Sequence, residues 1–497
     1  MSSTTQLASA WKENRSFYAL FAVYLGALFA GESGMLASVC AHYESGWLTW
    51  QTGWAAMGCL AALAALVGLW SRSVRKIETI FLLVAPPLLI GFALFMMPFA
   101  VPDEFTHINR VFDNRSGVCP LTVPEQLRDA EAWIGPYSGL QACFDIPFDY
   151  SLTRETENCA AAYSSINYLL PSLATLIGVP LGINAYVLIF AARLINAMLY
   201  LFAGYWMLCK MPFGKKLAFV FLLNPMLLQQ EASCSADALC NIAALCFIVQ
   251  VLAMRFGQCD PLPKREWVVL LGLALLVALC KYAYLPLICA AVILYPRIES
   301  RKIRWVLPFA AALFMVLAAV FVYMIGYSAM LERVLSSFSF DAFFGSLGAT
   351  IAQEGGTILW QFAGGNLGWP YMNGADATVT VRVPFAWVVY LAVLLVAFLA
   401  SFGERKDLFR PWERVVLIAL GAIESLLLFL ALWEALAGPT AVTWMQGRYF
   451  IPPVFLVLCA LVLREKTPAA RLPNLFFGIA MVLVNVFSLA YVIRFFM

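Results

Sequence analysis

Residues 80–110 read IFLLVAPPLLIGFALFMMPFAVPDEFTHINR, and the fold turns on how this stretch is read. The apolar run from Ile80 to Phe99 is long enough to cross a bilayer. It breaks abruptly into Pro102, Asp103, Glu104 and His107, the last being one of only two histidines in the chain. If a helix starts after Pro102, Asp103 and His107 stand at i,i+4 and Glu104 and His107 at i,i+3, so all three share one face. A proline before an acidic pair is equally an ordinary helix start, where carboxylates complement the macrodipole. The surrounding chain has to decide between a site and a helix cap.

Composition sets the class. The chain has 497 residues, 63% of them hydrophobic and 12% charged, which is the composition of a multi-pass membrane protein. A net charge of +3 is too small to suggest a nucleic-acid partner. The opening MSSTTQLASAWKENR lacks a short apolar core with a small-residue cleavage site, so the first apolar run reads as a retained span. The 13 cysteines include no CxxC pair and no metal-type spacing. Cys119, Cys143 and Cys159 share one polar loop, where a disulfide would form if the loop faces an oxidising compartment.

Basic loops orient the spans. Residues 1–16 read as a cytoplasmic tail and 17–99 as N-terminal spans near Phe17–Ala37, Leu48–Trp70 and Ile80–Phe99. The loop SRSVRK, with Arg72, Arg75 and Lys76, stays in the cytoplasm. The third span therefore runs outward and delivers PDEFTH to the outer face. Residues 100–182 form an extracytoplasmic loop too long for a tight connection. Its Trp133, Tyr137, Phe144, Phe148 and Tyr150 predict a small folded element, and Tyr163–Val179 an interfacial or re-entrant helix.

Residues 183–326 are central spans interrupted twice: Leu217–Leu228 is too short to cross as an ideal helix before EASCSAD, and KYAYLP breaks Trp267–Leu294 at Lys281. Basic residues at both ends of the second run require an even number of crossings, met by two short half-helices. Non-helical backbone at that depth needs protein or a water-filled cavity around it. Both interruptions point into one outward-open cavity. A span near Val306–Ile325, a second extracytoplasmic loop at 327–384 and C-terminal spans at 385–497 complete an all-α integral membrane bundle. It has about 13 transmembrane segments, 11 to 13 being compatible with the pattern.

Charges near membrane spans are functional candidates. The outward set holds Asp103, Glu104, His107, Arg193, Glu231, Asp237, Lys281 and Arg448. Such a set suits an anionic ligand, such as a phosphate on a greasy carrier. A nearby carboxylate can serve as general base for an incoming hydroxyl. Each member has a plainer role too. Arg193 can snorkel or pair with a carboxylate, Asp237 can cap the following helix, Lys281 can hold the broken helix through free carbonyls, and Arg448 can anchor at the interface. Glu32 and Glu424 read as hydrogen-bonded structural carboxylates.

Taken in order, PDEFTHINR, Tyr163–Pro171 (YSSINYLLP), AARLIN, LNPMLLQQEASCSAD, LCKYAYLPL and MQGRYFIPP resemble the bacterial domain-of-unknown-function 2142 family of polytopic membrane proteins. That family is similar to the GT-C superfamily of glycosyltransferases. One departure is the presence of two additional spans before the one feeding PDEFTH. The resemblance implies a GT-C-like bundle with two large extracytoplasmic loops in the bacterial inner membrane, the N-terminus cytoplasmic and the active site extracytoplasmic. It implies a sugar donor linked to polyprenyl phosphate and a cell-envelope glycan acceptor, such as a lipopolysaccharide O-antigen or a wall polymer.

Carried over, Asp103 is the general base and Glu104 the second candidate, with His107 orienting the pair or helping to hold a metal. Arg448 binds the donor phosphate, Lys281 and Arg193 are secondary, and Tyr449 and Tyr168 contact sugar or carrier. No cofactor follows with certainty. A divalent cation is one candidate, with Asp103, Glu104 and His107 as its ligands. The alternative function is a transporter or flippase for a lipid-linked glycan.

Overall fold

Helix α3 (Ile77–Phe95) sits at the centre of the molecule, with every residue except Glu78 and Pro87 buried. A helix apolar all round belongs inside a bundle, and α3 keeps its Pro86–Pro87 pair because neighbouring helices surround it. The computed structural model describes residues 3–40, 50–73, 76–114, 120–127, 136–145, 148–157, 160, 163–257, 262–298, 339–368, 381–433, 441–442 and 445–497. The expected span Val306–Ile325, Cys119, Cys159 and Trp133 lie outside these described residues.

Before α3 come α1 (Ser3–Cys40) and α2 (Trp50–Ser73). A Cβ on Gly58 would lie 2.3 Å from the Gly31 nitrogen, so these two helices meet backbone to backbone, as small residues allow in membranes. After α3 come α4 (Glu104–Phe112), β1 (Leu121–Pro124), α5 (Tyr137–Asp145) and β2 (Thr153–Thr156), with β1 and β2 paired antiparallel. This is the small folded element expected of the first loop. Its aromatic residues tie it down: Tyr137 donates to the Phe95 carbonyl (2.7 Å), and Phe148 packs on Tyr150 and Tyr186. Cys143 is buried as a free thiol.

A short 3-10 turn (Ser165–Tyr168) and α6 (Ser172–Gly178) lead to α7 (Ala185–Lys210). Helices α8 (Lys215–Leu222) and α9 (Pro225–Glu231) then make one broken passage, and α10 (Asp237–Phe256) returns. All residues from Leu217 to Ala238 are buried. At the break, Asn224 accepts from the Met226 and Leu227 N–H groups and donates to the Phe362 carbonyl. The Leu222 and Leu223 carbonyls accept from Tyr200 and Asn485. Every polar group freed by the kink that these bonds reach is satisfied inside protein, which is what makes a broken helix tolerable at this depth.

Helix α11 (Lys264–Cys280) ends where Lys281 turns extended (φ −153°, ψ 113°), and residues Tyr282–Arg297 follow in 3-10 geometry. Two short half-helices were expected here, and both arms prove longer. The 17 α-helical residues rise about 26 Å and the 16 3-10 residues about 32 Å. Both arms nevertheless begin and end together. Gln250, near the end of α10, donates to Glu266, and Arg297 donates to the Gly257 carbonyl just past it.

The remaining elements are α12 (Phe340–Phe362), α13 (Ala386–Ala400), α14 (Pro411–Trp433), a 3-10 turn (Gly447–Phe450), α15 (Ile451–Leu461) and α16 (Asn474–Phe496). Helix α12 lies within the stretch expected to form the second extracytoplasmic loop. It is a 23-residue helix that buries Phe343, Ser346 and Thr350 and exposes Phe340, Phe344 and Ile351.

Six helices are long and apolar enough to cross a membrane, and four shorter apolar helices accompany them among the described residues. Outer helices carry exposed apolar stripes at helical spacing: Val268, Leu271, Leu275 and Leu279 on α11, and Phe476, Ile479 and Leu483 on α16. Contiguous greasy faces of this kind belong in lipid. The chain is a mostly helical, multi-pass membrane protein.

Polar residues gather at two opposite ends. At one, Glu78 pairs with Lys215, Lys210 with Glu266, and Arg255 with Glu413, while Lys216 donates to the Ala470 and Leu472 carbonyls. These belong to loops that sequence reading assigned to one side. The other end holds Pro102–Arg110, Asp237, Lys281 and Arg448.

Candidate functional site

Asp103 and Glu104 are neighbours whose side chains part company. Asp103 adopts a left-handed conformation (φ 61°, ψ 2°) immediately before α4. An aspartate tolerates this region better than most residues, and strained backbone of this kind collects at functional sites. The turn sends the two carboxylates to different arginines.

Glu104 meets Arg193 in a bidentate pair, Nε to Oε1 at 2.8 Å and Nη2 to Oε2 at 2.5 Å, with both side chains fully buried. The other Arg193 donors reach the Ala93, Met96 and Met97 carbonyls at the C-terminal end of α3. Glu104 also accepts from the Phe99 and Cys234 N–H groups. All five guanidinium donors are thereby occupied. The pair locks α3, α4, α7 and the α9–α10 turn together, and neither partner is left to meet a ligand.

Asp103 instead pairs with Arg448, and its side chain stays 35% exposed. Arg448 Nη1 donates to the Pro102 carbonyl (2.9 Å) and to Gln230 Oε1 (3.0 Å). Its Nε stands 3.4 Å from Asp237 Oδ2 without hydrogen-bond geometry, so both atoms keep bonding capacity. Asp237 Oδ1 accepts from Lys281 Nζ at 2.9 Å. The four charges thus alternate along a line: Asp103, Arg448, Asp237, Lys281. Aromatic faces surround the lysine, with Tyr449, Tyr284 and Tyr163 centroids at 4.7, 5.1 and 5.7 Å. Cation–π attraction of this kind strengthens away from water. Tyr449 also lies against Arg448 at 5.2 Å.

Arg448 is positioned by the close approach of two elements. Gly447 donates its N–H to Gln361 Oε1, and a Cβ there would meet the Ile358 oxygen and the Phe362 nitrogen at 2.3 Å each. Asp237 opens α10, but it does not cap that helix. Ser235 Oγ accepts from the Asp237 N–H, which frees the carboxylate for the two cations. Lys281 likewise holds its break through Asp237 rather than through loose carbonyls. The Cys280 carbonyl accepts from Asn167 instead.

His107 takes a third direction. Its Nδ1 lies 2.7 Å from the Tyr168 hydroxyl, and its ring meets Tyr163 edge-on. Burial pushes its pKa down from 6.5 to about 4, Arg448 adding to the effect and Asp103, Asp237 and Glu104 opposing it. Burial likewise raises the Tyr163 and Tyr168 hydroxyls well above the ordinary phenol value. Tyr168 is fully buried between His107 and Arg110, which leaves it no surface to offer a sugar. Asp103, Glu104 and His107 do not converge as a ligand set. Among the described residues no group of three or more His, Cys, Asp or Glu side chains is placed to hold a metal ion.

Sequence reasoning passed over Gln230, Tyr163 and Tyr284. Tyr284 stands three residues after Lys281 in KYAYLP, and that spacing was the available signal. Gln230, in LLQQE, offers none without the contact to Arg448. Glu231, fully buried, is not in the charge line; its charge acts on Asp237 and Asn241 stands beside it, but neither carboxylate oxygen reaches hydrogen-bond geometry among the described residues. Glu424 is in the same position and Glu32 shares it at one oxygen, against the expectation of hydrogen-bonded carboxylates.

The family described as "Predicted membrane protein (DUF2142)" matches residues 145–459, more than half of the chain. The chain belongs to this family. The DUF2142 match contains Arg448, Asp237, Lys281, Arg193, Tyr168 and Tyr449, whereas Asp103, Glu104 and His107 precede it. No curated protein and no solved structure matches the chain.

Proposed function

We propose that the chain is an integral-membrane glycosyltransferase of GT-C type, with about 13 transmembrane segments. It moves a sugar from a polyprenyl-phosphate carrier to a cell-envelope glycan at the outer face of a bacterial inner membrane. The observation that supports this reading is the Asp103–Arg448 pair, continued by Asp237 and Lys281 where the broken helices meet. A carboxylate with solvent access stands directly on a buried guanidinium suited to phosphate.

The chemistry then runs on these residues. The donor phosphate engages Arg448, with Lys281 as the second cation, and takes Asp103's place on the guanidinium. Asp103, released, accepts the proton of the acceptor hydroxyl as that oxygen bonds to the sugar's anomeric carbon. The bond from that carbon to the phosphate oxygen breaks, and its electron pair leaves on the phosphate. Arg448 and Lys281 stabilise the charge gathering there. Glu104 and Arg193 hold the frame, and His107 with Tyr168 supports α4 behind Asp103. Tyr449, between both cations, is the aromatic surface nearest the sugar–phosphate junction.

Binding of a polyprenyl-phosphate sugar to the purified chain tests the assignment. Arg448→Ala is expected to weaken donor affinity by about tenfold or more, the loss of one charge-assisted bidentate contact. Unchanged affinity removes the phosphate role. A lipid-linked sugar that crosses proteoliposomes without being transferred favours a flippase instead.

A further inference from the structure

The opposite end of the bundle carries a second anion-binding geometry, independent of the Asp103 cluster. An open cleft of about 720 Å³ lies between the loop after α13 and the connection from α15 to α16. Lys216, Lys466 and Arg471 line it, against a single carboxylate, Glu404. Glu404 Oε2 accepts from the Gly214 N–H at 2.6 Å, and its charge also acts on Lys216. Lys216 is held in place by the Ala470 and Leu472 carbonyls, each 2.9 Å away, which leaves the third ammonium proton unassigned. Lys466 and Arg471 are exposed and have no ion-pair partner among the described residues.

The walls are not uniformly polar. Ala400 and Phe402 line the cleft, and the exposed Leu463, whose carbonyl accepts from the Gly403 N–H at 3.0 Å, lies at its edge. Three cations around a cavity, at the depth where a helical bundle's greasy surface ends, match a phosphate with acyl chains attached better than a free ion. Basic pockets between membrane helices hold lipid headgroups by this combination. Arg471 supplies a fork for phosphate oxygens, and the lysines act as point charges.

We propose that this cleft binds the phosphate headgroup of an anionic membrane lipid, which braces α13, α15 and α16 where they converge. The test is native mass spectrometry of the full chain released from nanodiscs containing phosphatidylglycerol and phosphatidylcholine in equal amounts. Phosphatidylglycerol is expected to be retained preferentially. The double variant Lys466→Gln/Arg471→Gln should lower that retention about thirtyfold, since each basic residue near a headgroup contributes about fivefold. The charge-preserving Lys466→Arg/Arg471→Lys should restore it. Equal retention of the two lipids, or undiminished phosphatidylglycerol in the neutral variant, overturns the proposal. Inorganic phosphate provides the other arm. If it stabilises the lipid-free chain as strongly as phosphatidylglycerol does and displaces that lipid, the site belongs to a soluble anion and the lipid assignment falls.

Discussion

At the scale of residues, two adjacent carboxylates part company, one sealed in an ion pair and one left partly open. Glu104 is sealed against Arg193 with no exposure, while Asp103 keeps a third of its side chain open against Arg448. Breaking a buried pair strands a charge, so Arg193→Ala should destabilise the fold by about 3–5 kcal/mol, read as a lower thermal midpoint. Asp103→Asn should leave that midpoint nearly unchanged. His107 gives a pH signature. Above its ordinary value of 6.5 it is neutral in both folded and unfolded chains, and its contribution to stability is complete. Between 6.5 and about 4 the unfolded chain binds a proton that the folded one refuses, so stability falls as pH falls. The thermal midpoint should therefore drop from pH 7 to pH 5, and less so in His107→Gln. An undiminished drop in that variant would place the titration elsewhere. Sequence spacing brought Asp103, Glu104 and His107 to attention, but it put them on one face. The left-handed turn at Asp103 separates them, and no periodicity encodes it.

At the scale of elements, broken helices position the site. Sequence reading put the first interruption after Leu228, at EASCSAD, whereas the chain also breaks at Asn224, inside the stretch read as one short piece; the break at Lys281 was legible because KYAYLP interrupts an apolar run between basic ends. What satisfies those breaks was not legible, because Tyr200, Asn485, Phe362 and Asn167 come from distant parts of the chain. Asn224→Ala removes both the cap and the tie to Phe362. It should destabilise by about 1–2 kcal/mol, measurable as a thermal shift. Gly447→Ala pushes against backbone atoms of Ile358 and Phe362, so it should displace Arg448, weaken donor binding and lower the thermal midpoint. Equal donor affinity in that variant would show that the approach of α12 does not set Arg448. Helix α12 lies inside the stretch that sequence reading left as the second loop, and it carries Gly345, Gly348, Gly355 and Gly356. Its amphipathic packing against α14 and the Gly447 turn outweighs their low helix propensity.

At the scale of the whole molecule, short basic loops converge at one end and the charged line from Asp103 to Lys281 lies at the other. That partition was readable from the sequence, because lysine and arginine near short loops record sidedness directly. Membrane-impermeant thiol labelling of Glu125→Cys and Lys466→Cys, in a cysteine-depleted background, should modify the two from opposite faces of right-side-out vesicles. Labelling from the same face would break the topology.

In the proposed reaction the exposed Asp103 carboxylate takes the acceptor's proton while Arg448 holds the departing phosphate. Single-turnover transfer from a polyprenyl-phosphate sugar to acceptor, compared between the wild-type chain and Asp103→Asn in proteoliposomes, tests it most directly. The variant is expected to fold and bind donor yet transfer about a hundredfold more slowly or worse, the usual size of a lost general base. Transfer at the wild-type rate would contradict it.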